Sequence, residues 1–521
     1  MNTSPTAPGT SSAATLREQL VSTLEQRGHI RSAPVAHAFR TVPREQFLPG
    51  VDLETVYTRR QIVTKRDPSG AALSSASNPS LVADMLEQLA PQPGHRVLEI
   101  GAATGINAAL LTELTSPGGT VVTIELDQDL ADGARAGLDR AGYHTVKVIC
   151  GDGALGAPDH APYDRIIVTA GAWDISAAWW NQLADHGRIV VPLRVHESGL
   201  TRCFAFDRTS PTMLVSATTP LVCGFVPMRG STEHTDHHVR LDTDVVLKLD
   251  ATDQPDRAAL AKALSHPRLE RWTGIQVNDA DPIGHLDLWL LAHADKPFGR
   301  LGVGDTARTS GLVTPAYRWA GAAIYHGGTI AYLAFQDTGD GHHELGAIAH
   351  GPDANALATD LTNLLDQWDA AGRPNQPTVT AQEPDPPNPA TSTDPTPPSR
   401  SPSDHTPRRE VPCPRPGTPG TSSAETSGRP GRTSFPPMRG CGITAPSVPF
   451  GAPGTPARHL CPAMAAQPQR SGPQNRPHTP TAETHARGCG SFVKAANAAA
   501  TSCRLARTYV VVVPTSPPLS A

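Results

Sequence analysis

From Leu16 to Trp368 the apolar residues recur in patterns that predict alternating helices and strands, and beyond Arg373 they thin out. Leu16, Leu20 and Leu24, spaced by four, predict a helix beginning near Thr15. "SNPSLVADMLEQLAPQPG" predicts a second. There Asn78 caps, Pro79 fits the first turn, Val82, Met85, Leu86 and Leu89 share one face, and Pro91 and Pro93 stop it. Short apolar runs then predict strands over Arg96–Ile100, Thr120–Leu126, Thr145–Cys150, Asp164–Thr169 and Arg188–Leu193. Helices are predicted between them over Gly105–Leu114, Gln128–Ala141 and Ile175–Ala184, with Asp127 capping the second and Gly142 ending it. This alternation implies a mostly parallel α/β sheet covered on both faces, with ligands at the carboxyl ends of its strands.

Residues 216–372 are less regular. "TIAYLAFQ" (Thr329–Gln336) predicts a strand, and "ANALATDLTNLLDQWDAAG" predicts a closing helix with Leu357, Leu361, Leu364, Leu365 and Trp368 on one face. The expected organisation is a disordered stretch over 1–14, an α/β domain over 15–215, a smaller α+β domain over 216–372 and a Pro-rich disordered tail over 373–521. The tail carries too little apolar surface to offset its ordering entropy.

Charge divides the chain in the same way. Residues 374–521 hold 14 Lys and Arg against 7 Asp and Glu, which leaves 30 against 42, a balance of −12, in residues 1–373. An acidic body argues against nonspecific nucleic-acid binding. Of eight cysteines, only Cys150, Cys203 and Cys223 lie in the body, and no C-x-x-C occurs, so neither a disulfide framework nor a structural zinc site is expected there. The polar start and the lack of a long apolar run predict no membrane span and a cytoplasmic protein.

The candidate chemistry lies at the strand ends. "RVLEIGAATGINAALL" places a glycine-bracketed turn, Gly101 to Gly105, between a strand and a helix. A dinucleotide fingerprint wants G-x-G-x-x-G and a P-loop wants a Lys, and neither is present. The turn fits S-adenosyl-L-methionine better, because that cofactor has no phosphate and needs only close backbone approach to its methionine and ribose. Glu99 precedes the turn. Glu125 ends the second strand, where a carboxylate can accept both ribose hydroxyls, as it also would in a nicotinamide site. Asp152 and Gly153, in "CGDG", end the third, where Asp152 can accept from an adenine amino group. Any one loop acid is most often merely solvated; acids at successive strand ends behind a glycine turn read as a set. "EHTDHH", with His234, Asp236, His237 and His238, lacks the helical metal spacing and reads as a surface loop, so no metal is expected. Of Trp179 and Trp180, at least one is expected in the core.

The blocks "VPREQFLPG", "SSASNPSLVADMLEQL", "VLEIGAATG", "VICGDGA", "PYDRIIVTAGA" and "LADHGRIVVPL", in this order over about residues 15–215, resemble the protein-L-isoaspartate O-methyltransferases. The resemblance implies a Rossmann-like S-adenosylmethionine-dependent methyltransferase fold and methylation of an isoaspartyl or aspartyl carboxylate, the ester later collapsing to a succinimide. It implies that Gly101, Gly105, Glu125, Asp152 and Gly153, with Glu99 beside them, hold the cofactor, and that Ser77, before Asn78-Pro79, orients the acceptor. Ala103 stands where the family's turn has a middle glycine, tolerable at negative φ, and Ile106 replaces a common aromatic. The loop "VYTRRQIVTKRDPSGAALSSAS" is longer and more basic than usual, so Arg59, Arg60, Lys65 and Arg66 form either a site for an acidic peptide or a solvated loop. The extended layout resembles methyltransferases of ribosomal-peptide biosynthesis, in ATP-grasp or lanthipeptide systems, whose substrate is a precursor peptide. The competing expectation is a catalytically idle cofactor-binding module that recognises a peptide through residues 216–372.

Overall fold

The computed structural model describes residues 12–231, 237–250, 252–278, 280–317 and 321–383, together with the backbone strands at 501–504 and 509–513. The N-terminal part is helical: α1 (Ala13–Gln26), α2 (Ala33–Thr41) and the single turn α3 (Leu53–Val56). Leu20, Val21 and Leu24 of α1 are buried. The long basic loop folds as a hairpin of β1 (Ile62–Arg66) and β2 (Ala72–Ala76), closed around Asp67, whose side chain accepts from Ala71 N at 2.8 Å. Helix α4 (Pro79–Leu89) follows, with the Asn78 side chain accepting from Ser80 N at 2.8 Å as its cap.

The main sheet then builds from β3 (Arg96–Ile100), α5 (Ile106–Thr115), β4 (Thr120–Glu125), α6 (Gln128–Arg140), β5 (Lys147–Cys150), β6 (Tyr163–Val168), α7 (Ala177–Gln182) and β7 (Leu183–His196). The order β5-β4-β3-β6-β7 is parallel throughout. The chain winds outward from β3 to β5, then returns past β3 to β6. The crevice between the ends of β3 and β6 is therefore the topological switch point, where such sheets bind ligands. Helix α7 is shorter than expected because the backbone at Leu183 already pairs with Tyr163 of β6. Antiparallel β8 (Leu200–Ser210) and β9 (Met213–Ser216) extend the sheet, and the short β10 (Leu221–Val222) pairs with β8.

A second, seven-stranded antiparallel sheet has the order β11-β12-β14-β15-β16-β17-β13. Its strands are β11 (His238–Asp242), β12 (Val245–Lys248), β13 (Leu269–Asn278), β14 (Phe298–Val303), β15 (Gly321–His326), β16 (Thr329–Gly339) and β17 (His342–His350). Helices α8 (Arg257–Leu260), α9 (Leu286–His293), α10 (Asp305–Thr309) and α11 (Ala354–Ala370) accompany it. Side chains alternate along a strand, and β16 uses both faces. Ala331 and Leu333 join Leu357, Leu361, Leu365 and Trp368 of α11, whereas Ile330, Tyr332 and Ala334 join Val245, Leu247 and Leu301.

The first of these two clusters is continuous with Phe204, Phe206, Trp179 and Trp180 of the main sheet, so the α+β part does not have a core of its own on that face. Arg202 of β8 reinforces the contact. It is 3% exposed, donates to His285 Nδ1 at 3.1 Å and to Gly284 O at 2.7 Å, and pairs with Asp287 of α9. Within the stretch expected to be disordered, β18 (Thr378–Gln382) pairs with β9, and β20 (Tyr509–Val513) and β19 (Thr501–Arg504) continue that edge. There a valine-rich run and "TVTAQ" find backbone partners at the sheet edge.

Candidate functional site

A cavity of about 730 Å³ opens at the switch point. Its floor is the turn after β3. Gly101 has φ +100° and Gly105 has φ +87°, both left-handed and both favouring glycine. A Cβ on Gly101 would overlap the Thr169 hydroxyl, which lies 2.7 Å from Gly101 O and 2.9 Å from Ile100 O and donates to them. One on Gly105 would sit 3.1 Å from Ala134 O of α6. Ala103 also has positive φ, +48°. The condition under which alanine is easily tolerated there is therefore not met, and alanine carries a left-handed strain of about 1–2 kcal/mol. Its N–H donates to Glu125 Oε2 at 2.8 Å, which helps to hold the conformation.

The acids of the site differ in environment. Glu125 lines the cavity and also accepts from Leu126 N at 3.0 Å. Asp127 N also donates to Oε1, at 3.4 Å; with two lone pairs on each carboxylate oxygen, Oε2 is the one that keeps capacity for a ligand hydroxyl. Glu99 is 0% exposed and is held by Thr123 Oγ1 at 2.6 Å and Asn107 Nδ2 at 2.8 Å, beneath the first turn of α5. Burial pushes its carboxyl up to about 7, against those two hydrogen bonds and with the charge of Glu125 adding to the rise. Asp152 accepts from Ala154 N at 2.9 Å and from Ser231 N at 2.8 Å. Burial opposes its ionisation, but the Ser231 and Ala154 hydrogen bonds prevail and hold it below the usual carboxylate range. Gly153 lines the cavity; Asp152 is not among the lining residues. A Cβ on Gly153 would lie 2.5 Å from Ile100 Cγ2, and Trp179 Nε1 donates to Gly153 O at 2.9 Å. Trp179 and Trp180 are both core residues.

Glu99 makes stability depend on pH in a definite direction. Its folded pKa lies above the ordinary value near ~4.3. Between the two values the folded state binds more protons than the unfolded one, so stability falls as pH rises through that window and is flat above about 7. Glu99→Gln keeps both hydrogen-bond partners and removes the titration. Denaturant unfolding at pH 5 and pH 8 should show the variant gaining about 1–3 kcal/mol on the wild type at the higher pH. An identical gap at both pH values would contradict the buried-acid account.

Ser77 lines the wall of the cavity at the head of α4. Asn78 fills the cap, so Ser77 is not needed as one. The segment after β10, which sequence reasoning assigned to the second domain, forms the other wall: Leu221 through Arg229 line the cavity. Val226 O accepts from Gly171 N at 2.8 Å and Met228 N donates to Gly171 O at 3.0 Å, fixing this segment over the end of β6. Beyond it, Arg229 Nη2 reaches Asp127 Oδ2 at 2.9 Å, and Lys65 Nζ from the β1–β2 hairpin reaches the same oxygen at 2.8 Å and Asp129 at 2.7 Å. Lys65 is thus spent internally, as is Arg66, which donates to Gly70 O at 2.8 Å. Of the histidine-rich stretch, His234 and Asp236 lie outside the described residues, and among the described residues no group of three His, Cys, Asp or Glu could hold a metal.

A family model described as protein-L-isoaspartate(D-aspartate) O-methyltransferase matches residues 15–233, a span that includes the cavity wall at 221–229. The protein-L-isoaspartate O-methyltransferase of Methanopyrus kandleri is 46% identical over 178 residues, 34% of this chain and 76% of the relative. The chain belongs to the protein-L-isoaspartate O-methyltransferase family. It is a methyltransferase, and its cofactor is S-adenosyl-L-methionine. The family's enzyme from Hyperthermus butylicus is 39% identical over 223 residues, 41% of this chain and 88% of the relative. A solved structure of a protein-L-isoaspartate O-methyltransferase aligns at 24% identity over 70% of this chain and 96% of its own, with a TM-score of 0.40. Membership in this methyltransferase family does not favour the idle-module reading. No helix among the described residues is long and apolar enough to cross a membrane.

Sequence reasoning missed Arg44, which lines the cavity beside Ser77. The motif "VPREQF" carried it in plain view, but nothing local marks it. Its partners are the carbonyls of Val56 and Ser77, supplied by distant segments.

Proposed function

We propose that this chain esterifies the carboxylate of an isoaspartyl or aspartyl residue, in a protein or a dedicated precursor peptide, in the cytoplasm, and that the ester later collapses to a succinimide. The observation that carries this reading is Ser77. Ser77 lines the cavity shared with the Gly101–Gly105 turn, and among the described residues nothing hydrogen-bonds its hydroxyl.

When bound, the cofactor supplies an electrophilic methyl group on a sulfonium. The acceptor, with an ordinary pKa near ~3.9, is already ionised at neutral pH, so no residue need remove a proton. Carbon–oxygen bond formation accompanies carbon–sulfur cleavage, and no proton moves. What the protein contributes is alignment and exclusion of water. We assign the Gly101–Gly105 turn with Glu99 beneath it to the methionine end of the cofactor, Glu125 to the ribose, and Asp152 with Gly153 to the adenine. Ser77 donates to one oxygen of the acceptor and so aims the other. The wall at 221–229 and the hairpin latched by Lys65 limit access of water. Residues 237–372, whose sheet shares a core with the main sheet, are assigned to recognition of the substrate chain.

Transfer of labelled methyl from S-adenosylmethionine to an isoaspartyl peptide and to a panel of aspartyl peptides tests this. Base-labile label is expected in carboxylate peptides and none in their amide counterparts. A folded, cofactor-binding protein that labels no carboxylate peptide would refute the reading.

A further inference from the structure

Among the described residues two arginines, Arg44 and Arg202, are deeply buried, in contrasting settings. Arg202 has Asp287 as its counterion. Arg44 is 7% exposed, and among the described residues its hydrogen-bond partners are neutral: Nε donates to Val56 O at 3.0 Å and Nη2 to Ser77 O at 3.2 Å. A guanidinium has five N–H donors, so donors remain beyond those two bonds. The acids around the cavity are committed elsewhere: Glu99 to Thr123 and Asn107, Glu125 to Ala103 and Leu126, and Asp84 to His29 and Arg31. A buried cation without a counterion is costly, typically several kcal/mol, unless an anion comes to it. Here it lies on the wall of the cavity, one hydrogen bond from the backbone of Ser77.

We propose that Arg44 is the receptor for the acceptor carboxylate and that it distinguishes the charged substrate from the neutral methyl ester. This rests on the reading of the site as a carboxyl methyltransferase. Before transfer the acceptor is an anion and can accept from the remaining N–H groups of Arg44 while Ser77 holds it. After transfer it is an ester, and the attraction to a buried cation is lost. Product therefore leaves a site that still holds substrate. The acceptor's charge is already falling in the transition state, so Arg44 stabilises the bound substrate at least as much. Its loss should raise KM more than it lowers kcat.

The test measures binding to the S-adenosylhomocysteine complex of the full chain. It uses three forms of one isoaspartyl peptide: the free carboxylate, its methyl ester and its amide. Wild type should bind the carboxylate about tenfold or more tightly than either neutral form, the scale of one charge-assisted pair. Arg44→Gln should bind all three within about twofold of one another, and Arg44→Lys should fall between, with S-adenosylhomocysteine affinity retained in both. An unchanged carboxylate preference in Arg44→Gln would overturn the proposal. So would a wild type that binds the three peptides equally, which needs no variant to fold. If wild type transfers methyl normally but its carboxylate preference is independent of Arg44, only the role of Arg44 falls. If wild type neither binds nor methylates any carboxylate peptide, the underlying reading falls with it.

Discussion

Gly101→Ala should lower affinity for S-adenosylmethionine more than any other single methyl added to the turn. Two costs combine. The position has φ +100°, where an L side chain is strained by about 1–3 kcal/mol, and the new Cβ meets the Thr169 hydroxyl. Moving Thr169 breaks its hydrogen bonds to Ile100 O and Gly101 O, which join the ends of β3 and β6. A total of about 2–4 kcal/mol, shared between affinity and stability, is expected. Calorimetric titration with S-adenosylhomocysteine and a melting curve on the same sample measure both shares. Gly142→Ala is the control: its φ is +85° but nothing lies within 4 Å of its Cβ position, so it should lose some stability and no affinity. A Gly101→Ala protein that binds as tightly as wild type would remove the turn from the cofactor site.

Ser77→Ala should separate binding from chemistry. The hydroxyl is not a helix cap, so melting temperature should not change appreciably. Cofactor affinity should stay within about twofold, under ~0.5 kcal/mol, as expected for a group that does not touch the cofactor. Single-turnover methyl transfer should slow by roughly tenfold or more, at least ~1.4 kcal/mol of transition-state stabilisation. Normal turnover in the folded variant would rule out a role in orienting the acceptor. The Arg44 variants should show the complementary pattern, with the main loss in KM.

What the sequence made legible was local. The span Arg96–Ile100 is the observed β3, and Asn78 and Pro79 open α4 as their backbone preferences require. The glycine turn and the strand-end acids were visible because each is set by a few neighbouring residues. What escaped depends on distant pairing. The 221–229 segment has no periodicity to announce it, and its position comes from hydrogen bonds to Gly171. Arg44 acquires its setting from Val56 and Ser77. Asp152 reads as an unpartnered acceptor in sequence, yet Ser231 N, 79 positions away, donates to one of its oxygens. Of the second sheet, the apolar run of β16 was legible, but β11 and β12 are only a few residues long and β13 is largely half-exposed with weak alternation, so they carry little local signal.

The edge of the main sheet imposes an order on synthesis. Strand β9 is finished at Ser216, but the strand that pairs with its outer side is β18, and Val379 N donates to Ser216 Oγ across 163 positions. At about 5–20 residues per second the ribosome needs roughly 10–30 seconds to make that interval. Throughout it, the nascent sheet presents an unpaired strand of the kind that templates wrong partners. The entire second sheet and α11 are translated within the same interval. The second sheet is therefore made while β9 still lacks its outer partner, and that pairing becomes available only after the rest of the body has been translated.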